Sequence, residues 1–160
     1  MKVVIYTDGS SRGNPGPGGY GAILISEKGH QKKLSEGFRK TTNNRMELLS
    51  VIKALEALKK PCEVIVFSDS KYVVDAVDKG WVYAWQKKGF AKKKNPDLWK
   101  RYLNVAKNHR IKFEWVKGHS GNEFNERCDK LAVAAAQKSD LPPDEGYENQ
   151  LGDKGIFSTE

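Results

Sequence analysis

The sequence has few cysteines, no long hydrophobic run and fewer acids than bases, and each shortage excludes a class of protein. The two cysteines, Cys62 and Cys128, form no C-x-x-C pair, which argues against a zinc ribbon or a thioredoxin-type redox site. Residues 1–8 reach a charge before the apolar core of a signal peptide could form, and no apolar run approaches the roughly 20 residues of a membrane helix. We therefore expect a cytoplasmic protein without membrane contact.

The chain is basic, with 28 lysines and arginines against 20 acids and a formal net charge of +8. This balance favours nucleic acid as a partner, although a soluble basic protein without such a partner can have the same composition. Residues 139–160 are different, because six acids and one lysine give them −5, which leaves +13 on residues 1–138. We expect one domain over residues 1–138 and a flexible acidic tail over residues 139–160.

The spacing of apolar residues predicts an α/β protein. It favours strands over residues 3–6, 20–26, 33–39, 64–67 and 111–116, and helices over residues 44–59, 70–79, 95–109 and 122–138. A block of turn-forming residues, 13–19, follows the first strand. This order implies a mixed sheet, with an antiparallel meander first and parallel crossovers after it.

Four acids occupy positions from which they could share one site. Asp8 and Asp69 each follow a strand that is predicted to be buried, and in open α/β sheets ligands bind beyond the carboxyl ends of strands. Glu47 lies near the start of the first helix, and Asp129 lies on the last helix beside its apolar stripe. Carboxylates brought close together repel unless a cation lies between them, and Mg²⁺ or Mn²⁺ prefers such oxygen ligands.

Each acid also has a purely structural explanation. Asp8 before Gly9 could form an Asx-turn, and Glu47 could be the third residue of a capping box that starts at Asn44. Asp69 or Ser70 could be only the N-cap of the following helix, and Asp129 could be a solvated acid paired with an exposed lysine. Taken singly, these explanations are favoured, whereas the four acids together favour a metal site.

Six segments, in the same order along residues 2–138, resemble the signature motifs of type-1 ribonuclease H of the bacterial, single-domain kind. Six collinear motifs are far more specific than any one of them. They are Tyr6-Thr7-Asp8-Gly9-Ser10, Gly13-Asn14-Pro15-Gly16, Thr42-Asn43-Asn44-Arg45-Met46-Glu47-Leu48, Ser68-Asp69-Ser70, Val116-Lys117-Gly118-His119-Ser120-Gly121 and Asn125-Glu126-Arg127-Cys128-Asp129-Lys130-Leu131-Ala132.

The resemblance implies a five-stranded mixed sheet flanked by helices, and an endonuclease that hydrolyses the RNA strand of RNA–DNA hybrids. The products would carry 5′-phosphate and 3′-hydroxyl ends. Asp8, Glu47, Asp69 and Asp129 would be the catalytic carboxylates and would hold two Mg²⁺ ions, with Mn²⁺ as an alternative. His119 would act as a proton shuttle or would help product release.

The resemblance also implies where the hybrid binds. Ser10, Asn14, Asn43 and Glu47 would contact 2′-hydroxyls of the RNA strand, and Thr42 would hold a DNA phosphate. The alternative for Asn14 and Asn43 is turn and capping chemistry. A basic stretch, residues 81–101, interleaves aromatic and cationic side chains and would form a substrate handle, with these members as candidates: Trp81, Trp85, Lys87 and Lys88. The aromatic residues could instead belong to the core.

Three other functions are compatible with this fold. A non-catalytic hybrid-binding module would lack at least one of the four acids, and all four are present. An integrase-like nuclease would not need the glycine-rich loop, the His119 motif or the handle. A reverse-transcriptase domain is not favoured, because Met1 stands directly before the first strand. We expect a monomer. One departure from the family pattern is Lys71, where glutamine is common; its cation could contact a backbone phosphate or weaken RNA binding.

Overall fold

A computed structural model describes residues 1–118 and 122–150 of the chain. Within them the elements follow the predicted order, with one additional helix between the predicted second and third helices and a helical segment at residues 145–150. The elements are β1 (Lys2–Ser11), β2 (Gly16–Ser26), β3 (Gln31–Thr41), α1 (Asn43–Glu56), β4 (Glu63–Ser68), α2 (Lys71–Asp78), α3 (Trp81–Lys87), α4 (Pro96–Ala106), β5 (Arg110–Trp115) and α5 (Glu123–Ala136).

The strands form one mixed sheet in the order β3-β2-β1-β4-β5, which confirms the predicted fold class. β1 pairs antiparallel with β2, and β2 antiparallel with β3. β1 pairs parallel with β4, and β4 parallel with β5. The register aligns Tyr6 with Phe67, so the carboxyl ends of β1 and β4 lie side by side.

Helices cover the sheet on both faces. The side chains of a strand alternate between faces, and α1 packs against the face to which Ile5 and Thr7 contribute. α5 packs on the opposite face, where the Cys128 thiol lies 3.3 Å from the backbone oxygen of Tyr6. The main core lies between α1 and the sheet, and α4 extends it through the fully buried Trp99. No helix in the described ranges is long and apolar enough to cross a membrane.

The structure corrects three local predictions. β1 and β2 are longer than expected, and residues 16–19 of the glycine block form the start of β2 instead of a turn. α3 was not predicted, since its Trp81–Lys87 stretch has no clear apolar period. Asn95 stands at the N-cap of α4 as expected, but its side chain does not cap the helix and is hydrogen-bonded to Tyr72 and Arg45 instead.

The start of the acidic tail contacts the domain. Asp144 is buried, and its carboxylate accepts hydrogen bonds from the Arg45 guanidinium at 2.8 and 3.0 Å and from the Thr41 hydroxyl at 2.6 Å. Glu148 pairs with Arg39 at 2.8 Å. These contacts dock the start of the tail on the domain, where Asp144 supplies the carboxylate that the buried guanidinium of Arg45 requires, and the flexibility of the tail stays a prediction. Residues 151–160 lie outside the described residues.

Candidate active site

Three of the four predicted acids converge at the carboxyl end of the sheet. Asp8, Glu47 and Asp69 each present a carboxylate oxygen, and these oxygens lie within 4.8 Å of one another. Asp8 and Glu47 are buried, and Asp69 is half-buried. Asp129 is half-buried on α5 and lines the same cavity of about 280 Å³. All four acids therefore face one pocket, and the hypothesis that they sit in separate solvated or turn positions is not needed.

Two close helix–sheet contacts bring these acids together. At Gly9 a β-carbon would collide with the backbone of α1 at Met46 and Glu47, so only glycine allows α1 to approach β1 this closely. At Gly21, a β-carbon would collide with the Cys128 carbonyl oxygen of α5. These approaches carry Glu47 and Asp129 to the edge of the sheet where Asp8 is buried in the last part of β1.

The capping explanations for two of the acids are wrong. The N-cap of α1 is Thr42, whose hydroxyl accepts a hydrogen bond from the Arg45 amide at 3.2 Å. Glu47 therefore lies beyond the first turn and is not the third residue of a capping box. The N-cap of α2 is Ser70, which leaves Asp69 outside this role. Asp8 does accept a local hydrogen bond from the Gly9 amide at 2.9 Å, and this contact is compatible with a place in the acid cluster.

Burial and mutual repulsion make this cluster unfavourable when its acids are ionised. Burial, with the negative charge of Asp69, raises the pKa of Asp8 from 3.8 to about 7. Burial also raises the pKa of Glu47 well above its ordinary value, and the charges of Asp8 and Asp69 add to this effect. Among the described residues, the Glu47 Oε2 atom and the Asn125 Oδ1 atom are buried without a hydrogen-bond partner. Such a group of oxygens fits a divalent cation, which would neutralise the acids and satisfy the unpaired oxygen.

Polar side chains surround the acids. Ser10 and Asn43 line the carboxylate cavity, as expected for residues that contact the substrate. Lys117 and Asn125 also line it, and neither was assigned a role from the sequence. Asn125 stands one helical turn before Asp129, and this spacing predicts that both side chains lie on one face of α5.

A second cavity of about 580 Å³ lies next to the start of α1. Asn14 and Thr42 line it, so these two predicted residues lie apart from the acids. The structural alternative holds at the same time, because Asn14 Oδ1 accepts a hydrogen bond from the Asn43 amide at 3.0 Å. The other walls come from the basic stretch and from the tail: Lys93, Lys94, Asn95, Tyr147 and Gln150.

The basic stretch contains both core and surface residues. Trp81 is 45% exposed, with the Lys79 ammonium 5.1 Å from its ring centroid. Lys87 and Lys88 are exposed, as a substrate handle requires. Trp85 is half-buried and packs edge-on against Trp99 at 5.9 Å, so its role is at least partly structural. None of these four handle candidates lines either of the two cavities. His119 lies outside the described residues, and its catalytic role stays a prediction.

Known proteins resemble this chain in sequence and fold. The RNase H family model matches residues 1–137. A Ribonuclease H of Desulforamulus reducens is 54% identical over 148 residues, which cover 89% of this chain and 92% of the relative. The crystal structure of LC9-RNase H1, a type 1 RNase H with the type 2 active-site motif, superposes with a TM-score of 0.76 at 32% identity, covering 93% of this chain and 80% of that protein.

A second solved structure is that of LC11-RNase H1 in complex with RNA/DNA hybrid. It superposes with a TM-score of 0.61 at 28% identity, and the match covers 84% of this chain and 96% of that protein. The family match spans nearly all of the domain predicted from the motifs, and the acid cluster stands where those motifs meet. The chain therefore belongs to the RNase H family and is a ribonuclease H of the bacterial type-1 kind.

Proposed function

We propose that this ribonuclease H hydrolyses the RNA strand of RNA–DNA hybrids with two Mg²⁺ ions held by Asp8, Glu47, Asp69 and Asp129. The observation that carries this proposal is the cluster of three acids, whose buried oxygens lie within 4.8 Å of one another and include the unpaired Glu47 Oε2 atom. Buried carboxylates this close together repel one another and destabilise the fold unless a cation neutralises them.

The residues around the pocket would have different roles in hydrolysis. When bound, the two cations supply an activated water and neutralise the charge that develops on the leaving 3′ oxygen. Asp8, which lies close enough to Asp69 and Asp129 to be affected by their charges, would hold the ions together with Glu47. Lys117 lines the same cavity and adds a positive charge where the scissile phosphate enters. His119 would exchange the proton of the leaving group, so its loss should slow turnover without abolishing cleavage.

The substrate would be recognised by its backbone. Ser10 and Asn43 stand beside the acids and would contact 2′-hydroxyls of the RNA strand, with Asn14 supporting Asn43. Thr42 opens on the second cavity, where Lys93 and Lys94 suit a phosphate of the DNA strand. The exposed Trp81, Lys87 and Lys88 would bind the hybrid further away. The complex of LC11-RNase H1 with RNA/DNA hybrid supports this substrate.

One experiment separates this function from its alternatives. Labelled RNA–DNA hybrid, RNA duplex and DNA duplex are incubated with the protein and Mg²⁺, and the products are sized and end-mapped. Cleavage of only the RNA in the hybrid, leaving 5′-phosphates and 3′-hydroxyls, supports the proposal. Binding of the hybrid without cleavage would favour a non-catalytic module, and cleavage of the DNA duplex would favour an integrase-like nuclease.

The Asp69→Asn variant ties the activity to the acid cluster. It keeps the shape of the side chain but removes one charged ligand, so we expect at least about a 100-fold loss of the cleavage rate. Asp75→Asn is the matched control, because Asp75 lies on α2 in a surface pair with Lys79 at 3.7 Å and should not affect the rate. An undiminished rate for Asp69→Asn would contradict the proposed site.

We also propose that the protein acts as a monomer in the cytoplasm, with Mn²⁺ able to replace Mg²⁺. Light scattering coupled to gel filtration tests the first point, and fractionation of the source cells tests the second. A dimer at micromolar concentration, or recovery of the protein in a membrane fraction, would contradict them.

A further inference from the structure

Trp115 at the end of β5 is exposed but is held in place by a hydrogen bond. Its side chain is 45% exposed, so one part of the ring is open to a partner outside the fold. Its indole Nε1–H donates to the backbone oxygen of Asp69 at 3.2 Å. The ring is therefore attached to the main chain of one of the clustered acids.

Lys71 is placed on this ring. Its ammonium nitrogen lies 4.8 Å from the ring centroid of Trp115, within the range of a cation–π contact. Lys71 itself is exposed, and no salt bridge found among the described residues involves it. The ring restricts the conformations of the Lys71 side chain but does not neutralise its charge. The ammonium group therefore remains available to bind an anion.

The two side chains stand at the edge of the sheet where the acids lie. Lys71 follows Asp69 by two residues, and Trp115 ends the strand that pairs with β4. Gly118 continues this edge, because a β-carbon there would lie 3.3 Å from the Asp69 Oδ2 atom. An anion bound by Lys71 would therefore lie at the same edge of the sheet as the acids.

We propose that Lys71 and Trp115 form a platform that binds a phosphate of the RNA strand next to the scissile phosphate. The proposal rests on the proposed function. Lys71 makes the ionic contact, and Trp115 is a positioning residue that holds the ammonium and the Asp69 main chain in one arrangement. The charge of Lys71, and not its capacity for hydrogen bonding, is what the platform contributes.

Binding is measured by fluorescence anisotropy with a labelled RNA–DNA hybrid, without divalent metal and in an Asp8→Asn background so that no cleavage interferes. KCl is varied from about 50 to 200 mM, a range over which each phosphate contact contributes about 0.9 to the slope of log Kd against log salt. We expect Lys71→Gln to reduce this slope by about 0.9. Lys28→Gln removes the same charge at the hairpin turn, at the opposite end of β1 from Asp8, and should leave the slope unchanged.

An unchanged slope for Lys71→Gln would overturn the proposal, because glutamine keeps a hydrogen-bond donor and loses only the charge. In the otherwise unmodified enzyme with Mg²⁺, Lys71→Gln should raise KM several-fold and leave kcat unchanged. A fall in kcat with an unchanged KM would also overturn it. If the unmodified protein does not cleave the hybrid, the proposed function fails, whereas the slope comparison still decides whether Lys71 contacts a phosphate.

The role of Trp115 is tested by a double-mutant cycle. Trp115→Leu removes the ring but keeps the Lys71 charge, so it should raise the Kd for the hybrid, and it should raise it much less when Lys71 is already glutamine. Equal increases in Kd with and without Lys71 would overturn the role of the ring. Because Trp115 is exposed, these variants should fold, and unchanged circular dichroism and melting temperature verify that they do. Trp115→Phe keeps a ring over Lys71, so it should retain the salt slope. It loses the indole N–H that holds the Asp69 backbone oxygen, so it should lower kcat by loosening the position of Asp69.

Discussion

Asp8 carries a charge that conflicts with its burial beside two other acids. In the metal-free protein its pKa is raised from 3.8 to about 7 by burial and by Asp69. The folded state therefore retains a proton between about pH 4 and pH 7 that the unfolded chain releases. Stability of the metal-free protein should fall as pH rises through this window, because the folded state binds more protons there. The pKa of Glu47 shifts in the same direction and adds to the effect.

The Asp8→Asn variant tests whether the buried charge of Asp8 destabilises the metal-free protein. We expect the cleavage rate to fall by at least about 100-fold, whereas the metal-free free energy of unfolding at pH 7 should rise by about 1–3 kcal/mol. Urea denaturation with EDTA at about pH 4.5 and about pH 7.5 measures both the gain and its pH dependence. The pH-dependent loss should be smaller in the variant, and Mg²⁺ should reduce it in the unmodified protein. A metal-free variant that is less stable than the unmodified protein at the higher pH would contradict the electrostatic explanation.

At the scale of the element, the close packing of α5 on β2 determines whether Asp129 reaches the pocket. A methyl group at Gly21 would collide with the Cys128 carbonyl oxygen and lie 2.7 Å from the Leu131 β-carbon, so α5 would have to move. We expect Gly21→Ala to destabilise the fold by about 1–3 kcal/mol. It should also raise the Mg²⁺ concentration needed for half-maximal activity. Thermal melts and Mg²⁺ titrations of cleavage measure the two effects.

Gly29→Ala is a matched control for this variant. Gly29 has a positive φ of 86°, but no atom lies within 4 Å of the position that a β-carbon would take, so the change strains the β2–β3 turn without displacing a helix. It should lower the stability modestly and leave the Mg²⁺ dependence as it was. An equal shift of Mg²⁺ dependence in both variants would mean that general destabilisation, and not the position of α5, is responsible.

At the scale of the whole molecule, the start of the acidic tail completes the fold. Arg45 is 1% exposed and lies between Asp97 of α4 and Asp144 of the tail, with contacts of 2.7 and 2.8 Å. Deleting residues 140–160 would leave the guanidinium with one of its two carboxylates. We expect this deletion to lower the free energy of unfolding by about 2–4 kcal/mol. Deleting only residues 151–160 keeps Asp144 and provides the control.

Chemical denaturation of the two shortened chains measures this difference. If both are as stable as the full chain, the tail contact with Arg45 contributes nothing to the fold. Because the cavity beside Thr42 has Tyr147 and Gln150 in its wall, the longer deletion should also weaken hybrid binding. Binding that is weakened equally by both deletions would contradict this.

Local chemistry identified most elements but few of their ends. Apolar runs indicated the centres of β1 and β4, because a run of β-branched residues predicts a strand from the local sequence alone. The glycines of β2 predicted a turn, because the sequence does not show that a helix packs closely against them in a strand. Likewise, Asp144 read as part of a solvated tail, since its buried partner Arg45 lies 99 residues away along the chain.

The amino-acid sequence by itself determined the order of the main elements and the family, and it indicated the four acids as candidates, because those depend on local patterns and on motifs that are recognisable in isolation. Only the tertiary structure decided that Asp8, Glu47 and Asp69 share one pocket, that Glu47 does not cap α1, and that the Lys71 ammonium lies over the ring of Trp115. Contacts of this kind depend on the register between strands and on how closely helices approach the sheet, and these distances are set by packing between residues far apart in the chain.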